Sequence, residues 1–544
     1  MSEAETAENQ TPLSRRRRFL ALTAVVVVVF LAALDLSALR LGLVGDVIGP
    51  VYPGEDSPAG AWAVVVVYFV AWIVSLPLWG KLSDVYGRRR LWLVGLALFT
   101  AASAGSLTSQ ELIQLTISRF LQGLGVGAIF ALGPALIGDL NPPSSRAKWQ
   151  GALVALLGVG LLGWVTLVNA VAWIVVNIPI PVMDSHYFFL RWSLLLNLPI
   201  GILAILASCL GLPAVRTGIR RRVDVAGAMA FVATIVPVLV TLKIAGRLFP
   251  WPSAPTFILL AGALVILAVL VFAVRRIDNP FINLRLLTHR SFLVSAMAMF
   301  VAGIGLAASL AYAPHFVRPG EAFGTRMDLL AQQAAMVAAF AVGAVVAGQL
   351  VARIGSHKVL VLALMLIATA SAVLFSRMHG TSTQFDVVRN SAISGLAFGG
   401  LLPVLVLVVQ NACPRRNLGE LTGGILFLGF LGFNSGFGIL AQIASAWYRA
   451  NVQAGAAQLG SDPLISAEIS LQTLNLSPDA AGGLAADVLR EGWLDALNGA
   501  FVIVAVLLAV AFVLVALLRE APTHTATDTD SDESGVAAPA GGGP

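Results

Sequence analysis

Two ionisable side chains stand inside apolar runs where charge is costly. Asp35 follows the run Val25–Leu34, and a carboxylate facing lipid at that depth costs several kcal/mol. It must face the protein interior or a water-filled cavity. There it can trade a proton with the aqueous phases, couple to a substrate, or serve as a structural partner. Arg119 interrupts Leu115–Ile129 together with Gln122 and several glycines. A guanidinium does not readily discard its charge, so it needs a carboxylate, carbonyls or water around it. One role open to it is keeping a nearby acid's proton labile; packing or gating without proton coupling is the alternative. Arg40 lies nearer the end of the segment that holds Asp35, where it pairs with an acid or snorkels to the interface.

A second constellation is Gly80-Lys81-Leu82-Ser83-Asp84-Val85-Tyr86-Gly87-Arg88-Arg89-Arg90. Its glycines permit a tight turn between two packed helix ends. Asp84 precedes the following helix, where negative charge suits the helix dipole, and it can pair with Arg88 or with a neighbouring helix. Asp139, at the end of a later segment, is another available acid. Contacts among Gly80, Asp84, Gly87, Arg88 and Asp139 can favour one conformation over another without touching a substrate.

Polar and bulky groups elsewhere are cavity candidates. Trp164, Asn169 and Trp173 lie in one apolar segment, and Gln332, Gln333, Gln410 and Asn434 interrupt segments of the second half. Each of these polar groups alone is equally suited to hydrogen bonding between helices. Cys209 and Cys413 are far apart, and the six histidines form no ligand-spaced cluster, so neither a metal site nor a cofactor is expected.

The elements that position these residues are membrane helices. Of 544 residues, 58% are hydrophobic and only 11% are charged, and the mean hydropathy is +0.88; soluble domains carry about a quarter of their residues as charges. The apolar residues come in blocks of roughly 20, enough to cross about 30 Å of hydrocarbon. Fourteen spans are predicted near 19–44, 60–80, 90–108, 111–138, 149–176, 190–212, 223–245, 254–274, 291–316, 327–352, 357–376, 389–411, 420–447 and 497–518. With the N-terminus in the cytoplasm, 23 of the 34 Lys and Arg residues fall in inside segments, and the even count returns the C-terminus to the same side. The net charge of +6 is spent on these short clusters, and no basic face with interleaved aromatics points to nucleic acid. Arg15 to Arg18 precede a first span that is too long for a signal peptide and lacks a convincing cleavage site. The tail beyond Ala521, rich in Thr, Asp, Ser, Gly and Ala, is expected to be disordered. The longest connection, about 448–496, lies outside and either caps the outer mouth or is a solvated linker.

As a set, these motifs resemble the major facilitator superfamily, especially its fourteen-helix drug:proton antiporter branch. The Gly80–Arg90 stretch matches that family's loop signature. Trp62–Tyr68 with Pro77 resembles its second helix, and Arg119, Gln122, Gly123 and Gly125 match its fourth-helix signature. Leu34-Asp35 resembles its acidic first-helix motif without the usual continuation. Arg191-Trp192-Ser193-Leu194-Leu195-Leu196-Asn197-Leu198-Pro199-Ile200-Gly201 is similar to a stretch typical of the branch, and Gly348–Gly355 is a weak echo of the loop signature. The branch's fifth-helix Gly-Pro and Gly-Gly are reduced here to Gly163 within Leu162–Val168, which points toward a specialised substrate, a lipid among them, or unusual coupling.

The resemblance implies an all-α polytopic fold with two pseudo-symmetric six-helix bundles plus two additional helices. The expected divisions are an N-terminal cytoplasmic segment 1–18, a first bundle 19–212, a linker region with the extra pair 213–290, a second bundle 291–518 and a tail 519–544. It also implies alternating access, with Asp35 and Arg119 in coupling and Asp84, Arg88 and Asp139 at an inward gate. The expected function is export of a hydrophobic or amphiphilic small molecule across the inner membrane, driven by proton entry. A lipid or glycolipid carrier of the same fold, working with an extracytoplasmic partner at the 448–496 loop, is the first alternative. A membrane enzyme or sensor is the second, but the polar groups are scattered rather than converging at one membrane face.

Overall fold

The computed structural model describes residues 14–38, 58–142, 145–160, 185–213, 224–244, 253–274, 289–316, 326–354, 357–380, 382–412, 417–458 and 484–517. Arg40, Trp164, Asn169, Trp173, the altered fifth-helix stretch Leu162–Val168 and the tail beyond Ala521 lie outside them.

Fourteen α-helices are present among the described residues, one for each predicted span. In the first half these are α1 (Arg15–Ala38), α2 (Pro58–Tyr86), α3 (Arg88–Thr108), α4 (Leu112–Leu140), α5 (145–160) and α6 (Ser185–Gly211). Then come α7 (Val225–Ile244) and α8 (Ala254–Val274). The second half holds α9 (Arg290–Tyr312), α10 (Arg326–Ile354), α11 (His357–Phe375), α12 (Gln384–Asn411), α13 (Leu418–Gln458) and α14 (Leu484–Ala516). Eleven of them are long and apolar enough, over described residues, to cross a membrane, and α6 and α8 supply shorter apolar stretches. Helices are what such runs must form, because hydrocarbon offers the backbone no hydrogen-bond partners.

Several helices are longer than hydropathy suggests. α13 runs on to Gln458 and α14 begins at Leu484, so both ends of the predicted 448–496 connection are helical; residues 459–483 of it lie outside the described ones. An apolar window finds the stretch in lipid but not the amphipathic turns that continue beyond it. α12 starts at Gln384 on a capping box, in which Thr383 and Asp386 satisfy each other's backbone N–H groups.

The helices form two bundles. In the first, α4 packs on α1, α2 and α3, and α6 closes against α1 and α3. In the second, α9 packs on α12, α13 and α14, α10 on α12, and α11 on α12 and α14. α7 and α8 pair with each other at the periphery, and α7 touches α2 and α13. Ile258, Leu264 and Val265 of α8 are more than three-fifths exposed, an apolar surface that suits lipid rather than water. Between the bundles, α13 reaches across to α2 and α4.

α4 is the central post of the first bundle, and its glycines set its neighbours' distance. A Cβ at Gly123 would lie 2.5 Å from the Tyr68 carbonyl of α2, and one at Gly125 would lie 2.6 Å from the Phe99 amide of α3. Backbones this close gain dispersion contacts that lipid cannot match. They also help bring the polar side chains of five helices to one level.

Candidate functional site

That level is the buried polar cluster around Asp35, which is 2% exposed. Its Oδ1 accepts from Asn197 Nδ2 of α6 at 2.8 Å, and its Oδ2 from the Tyr68 hydroxyl of α2 at 3.0 Å. Arg119 of α4 places Nη1 3.8 Å from Asp35 Oδ2 and donates from the same atom to Gln122 Oε1 at 2.8 Å. Gln122 and Asn197 both donate to Ser103 Oγ of α3, at 2.9 and 3.3 Å. The guanidinium also lies 6.0 Å from the Tyr68 ring centre. Asp35 and Arg119, predicted separately as membrane-buried charges, thus meet in one ion pair, and helices α1, α2, α3, α4 and α6 each contribute a member to the cluster. Among the described residues Arg119 Nε has no hydrogen-bond partner, so they leave the guanidinium short of its full set of bonds. A pair of this kind binds its two charges strongly only while both are present.

A second cluster joins the two bundles on the face of the α2–α3 turn. Gly87 makes that turn at φ 95°, a left-handed conformation that glycine adopts without a Cβ penalty. Asp84, just before it, caps the start of α13: Oδ1 accepts from the Gly419 N–H at 3.1 Å and Oδ2 from the Glu420 N–H at 2.8 Å. These are orphan donors of a helix N-terminus, so the carboxylate meets both hydrogen bonds and the positive end of the dipole. Arg88 bridges Asp84, at 2.9 Å, to Asp139 at the end of α4. Lys81 pairs with Glu420 of α13 at 2.7 Å. The approach requires glycine on both helices: a Cβ at Gly419 would lie 2.6 Å from the Gly80 carbonyl and from Arg88 Nη1. Gly80, Asp84, Gly87, Arg88 and Asp139 are therefore brought together, and α13 supplies their partners.

Alongside this joint, α5 meets α10 through Gly151 and Gly348, where a Cβ on either would lie 2.6 Å from a carbonyl of the other helix. Arg146 donates to Asn411 at 3.1 Å. Gln410, singled out in the sequence, lies in a polar knot with Gln150, the Pro134 carbonyl and Thr422.

Between the bundles lies a cavity of about 60 Å³. Its walls come from α1, α4, α5, α9, α10, α12 and α13, among them Val29, Phe130, Leu153, Met299, Phe340, Leu402 and Phe433. Phe430 closes one side, stacked on Phe130 at 5.7 Å and against Trp72 at 4.5 Å. Gln332, Gln333, Gln410 and Asn434 are not among the described lining residues. Gln332 donates to Ser391 at 2.9 Å inside the second bundle, Gln333 has a buried oxygen with no partner among the described residues, and Asn434 bonds back to the Phe430 carbonyl of its own helix.

Sequence reasoning singled out neither Gln150 nor Glu420, and took Tyr68 and Asn197 only as members of motifs. Tyr68 and Asn197 are polar breaks in apolar helices, a signal equal to that of Gln332. Glu420 offers no signal, since its importance lies in which helix end it faces.

A family match to the Major Facilitator Superfamily covers residues 20–437. The chain is 25% identical over 445 residues to the multidrug transporter protein MdtP of Bacillus subtilis (strain 168), covering 79% of this chain and 76% of that protein. It is 27% identical over 458 residues to a triacylglyceride transporter of Mycolicibacterium smegmatis, covering 80% and 77%. The fold is similar to that of the human organic anion transporter MFSD10, with a TM-score of 0.58 at 16% identity over 93% of this chain and all of that one. Fourteen helices that make two joined bundles and a peripheral pair, an inter-bundle cavity and a match across most of the length agree: the chain belongs to the Major Facilitator Superfamily and is a multi-pass secondary transporter.

Proposed function

We propose that the protein exports a hydrophobic or amphiphilic small molecule from the cytoplasm by alternating access, driven by proton entry, with Asp35 as the proton-carrying carboxylate. The observation that carries this reading is the Asp35–Arg119 pair, the two charges lying 3.8 Å apart in a fully buried polar cluster. Protonation of Asp35 weakens its hold on Arg119 and changes the demand on Tyr68 and Asn197. The donors on all sides of the carboxylate make its two protonation states prefer different arrangements of the helices. Val29, six residues before Asp35 on α1, lines the cavity, so a shift of α1 acts on both sites.

In this reading both termini and the α2–α3 turn lie in the cytoplasm, which the inside-weighted distribution of Lys and Arg supports. The Asp84–Arg88–Asp139 cluster with the N-terminus of α13 is the inward gate, closed in this conformation. The bundles correspond to 19–212 and 291–518, with α7 and α8 as the additional pair between them.

The test is transport in proteoliposomes under an imposed pH gradient, comparing Asp35→Asn with the parent protein. Gradient-driven flux should be lost in the variant while exchange without a gradient persists. Full gradient-driven flux in Asp35→Asn would sink the assignment.

A lipid carrier of the same fold is the second reading. It is supported by the apolar lining and by the similarity to a protein named as a triacylglyceride transporter. An extracytoplasmic partner would then dock at the connection between α13 and α14. Co-purification of lipid, with flux indifferent to the pH gradient, separates it from the first.

A further inference from the structure

Gln150 of α5 is the single side chain with a strong hydrogen-bonding group among the described residues lining the cavity. It is 1% exposed, and its Nε2 is shared between two acceptors. One is the Pro134 carbonyl of α4 at 2.8 Å, within its own bundle; the other is Gln410 Oε1 of α12 at 3.1 Å, across the bundle boundary. Gln410 in turn donates to Pro134 O at 3.1 Å and to Thr422 Oγ1 of α13 at 3.2 Å. One amide therefore belongs both to the cavity wall and to a charge-free clasp between the bundles.

We propose that Gln150 is the cargo-reading residue: it donates to a neutral oxygen acceptor on an otherwise apolar cargo, and in doing so gives up its bond to Gln410. The favoured cargo class is an apolar molecule carrying a carbonyl, ester or ether oxygen. An amide NH2 has two hydrogens, and both are engaged here, so a cargo oxygen must displace one acceptor. Gln410 Oε1 is the acceptor whose loss loosens the joint, leaving the bond from Gln410 Nε2 to Pro134 O as the remaining link of the clasp, whereas Pro134 O lies in the same bundle as Gln150 and moves with it. A ligand gains only the difference between two similar hydrogen bonds, so cargo and clasp are closely balanced. Such a balance lets binding shift a two-state equilibrium. A pure hydrocarbon fills the cavity without releasing the clasp. This rests on the transport reading but needs no proton, so the two can fail separately.

The experiment is photolabelling with benzophenone, an apolar ketone whose excited carbonyl inserts into neighbouring C–H bonds, in nanodiscs of fixed lipid composition. Peptide mass spectrometry reads the yield at Met299 and the other lining residues. Gln410→Leu should raise the yield roughly two- to tenfold, the worth of one neutral hydrogen bond to the freed donor, and Gln150→Leu should lower it and abolish that gain in the double variant. Both variants weaken the same clasp, so a merely structural role moves both yields in one direction, and that result overturns the proposal. Labelling that avoids the cavity overturns it as well. Where Gln150→Leu fails to give monodisperse protein, Gln150→Met, which keeps the length of the side chain and has no donor, takes its place with the same expected direction. If Asp35→Asn retains gradient-driven flux while the opposite shifts at Gln150 and Gln410 are seen in the otherwise unaltered protein, proton coupling fails and Gln150 stands.

Discussion

Gly419→Ala tests whether the joint between α2 and α13 holds the bundles together on the face of the α2–α3 turn. The added methyl would lie 2.6 Å from the Gly80 carbonyl and from Arg88 Nη1, and 2.7 Å from Asp84 Oδ1. Three groups crowd it, and one is backbone, so α13 must retreat from α2. Retreat stretches the bonds from the Gly419 and Glu420 amides to Asp84, now 3.1 and 2.8 Å. Overpacking costs about 1–3 kcal/mol and a hydrogen bond to a charged group is worth about 1.5–3. Loss of part of one such bond with modest overpacking gives about 2–4 kcal/mol against the joined state. That corresponds to roughly 30- to 1,000-fold in the equilibrium between joined and separated bundles. The assay is double electron–electron resonance between spin labels at Leu210→Cys and Val359→Cys, both exposed, with Cys209 and Cys413 replaced by serine. The distance distribution should move to longer values in Gly419→Ala. Gly262→Ala is the control, because a Cβ there meets no atom within 4 Å. An unchanged distribution in a folded Gly419→Ala protein would refute the packing argument.

Other substitutions probe the remaining contacts. Asp35→Ala leaves the Arg119 guanidinium buried without its carboxylate and should cost about 3–5 kcal/mol in thermal unfolding in detergent. Combining it with Arg119→Met should recover part of the loss, and a double variant no more stable than the single would contradict the pairing. Tyr68→Phe removes the 3.0 Å bond to Asp35 while keeping the ring. It should cost about 1.5–3 kcal/mol, read as a lower unfolding midpoint than that of Gly262→Ala. Lys81→Met removes a bridge to Glu420 whose side chains are 20% and 8% exposed. Taking the cation from a buried carboxylate should cost about 1–3 kcal/mol against the joined state; a resonance shift larger than that of Gly419→Ala would mean the ion pair, not the backbone approach, dominates the joint.

What the sequence determined by itself is what one-dimensional patterning encodes. Fourteen apolar blocks mark fourteen helices because lipid forces an apolar chain to satisfy its backbone internally. Asp35 and Arg119 were legible as interior groups because neither can face hydrocarbon, and the turn at Gly87 because only glycine readily takes its backbone conformation. Helix ends were less legible where α12, α13 and α14 continue beyond the apolar blocks, since an apolar window does not detect amphipathic turns. Only the tertiary structure decided the partners. Asp84 caps the start of a helix 335 residues away, Asn197 completes the shell of a carboxylate 162 residues earlier, and Gln150 meets Gln410 across 260 residues. Each contact depends on which faces two helices present to each other. Hydropathy is nearly blind to that choice in a membrane, where lipid-facing and protein-facing sides are both apolar. Packing geometry, set by glycines and the few polar groups, makes it instead.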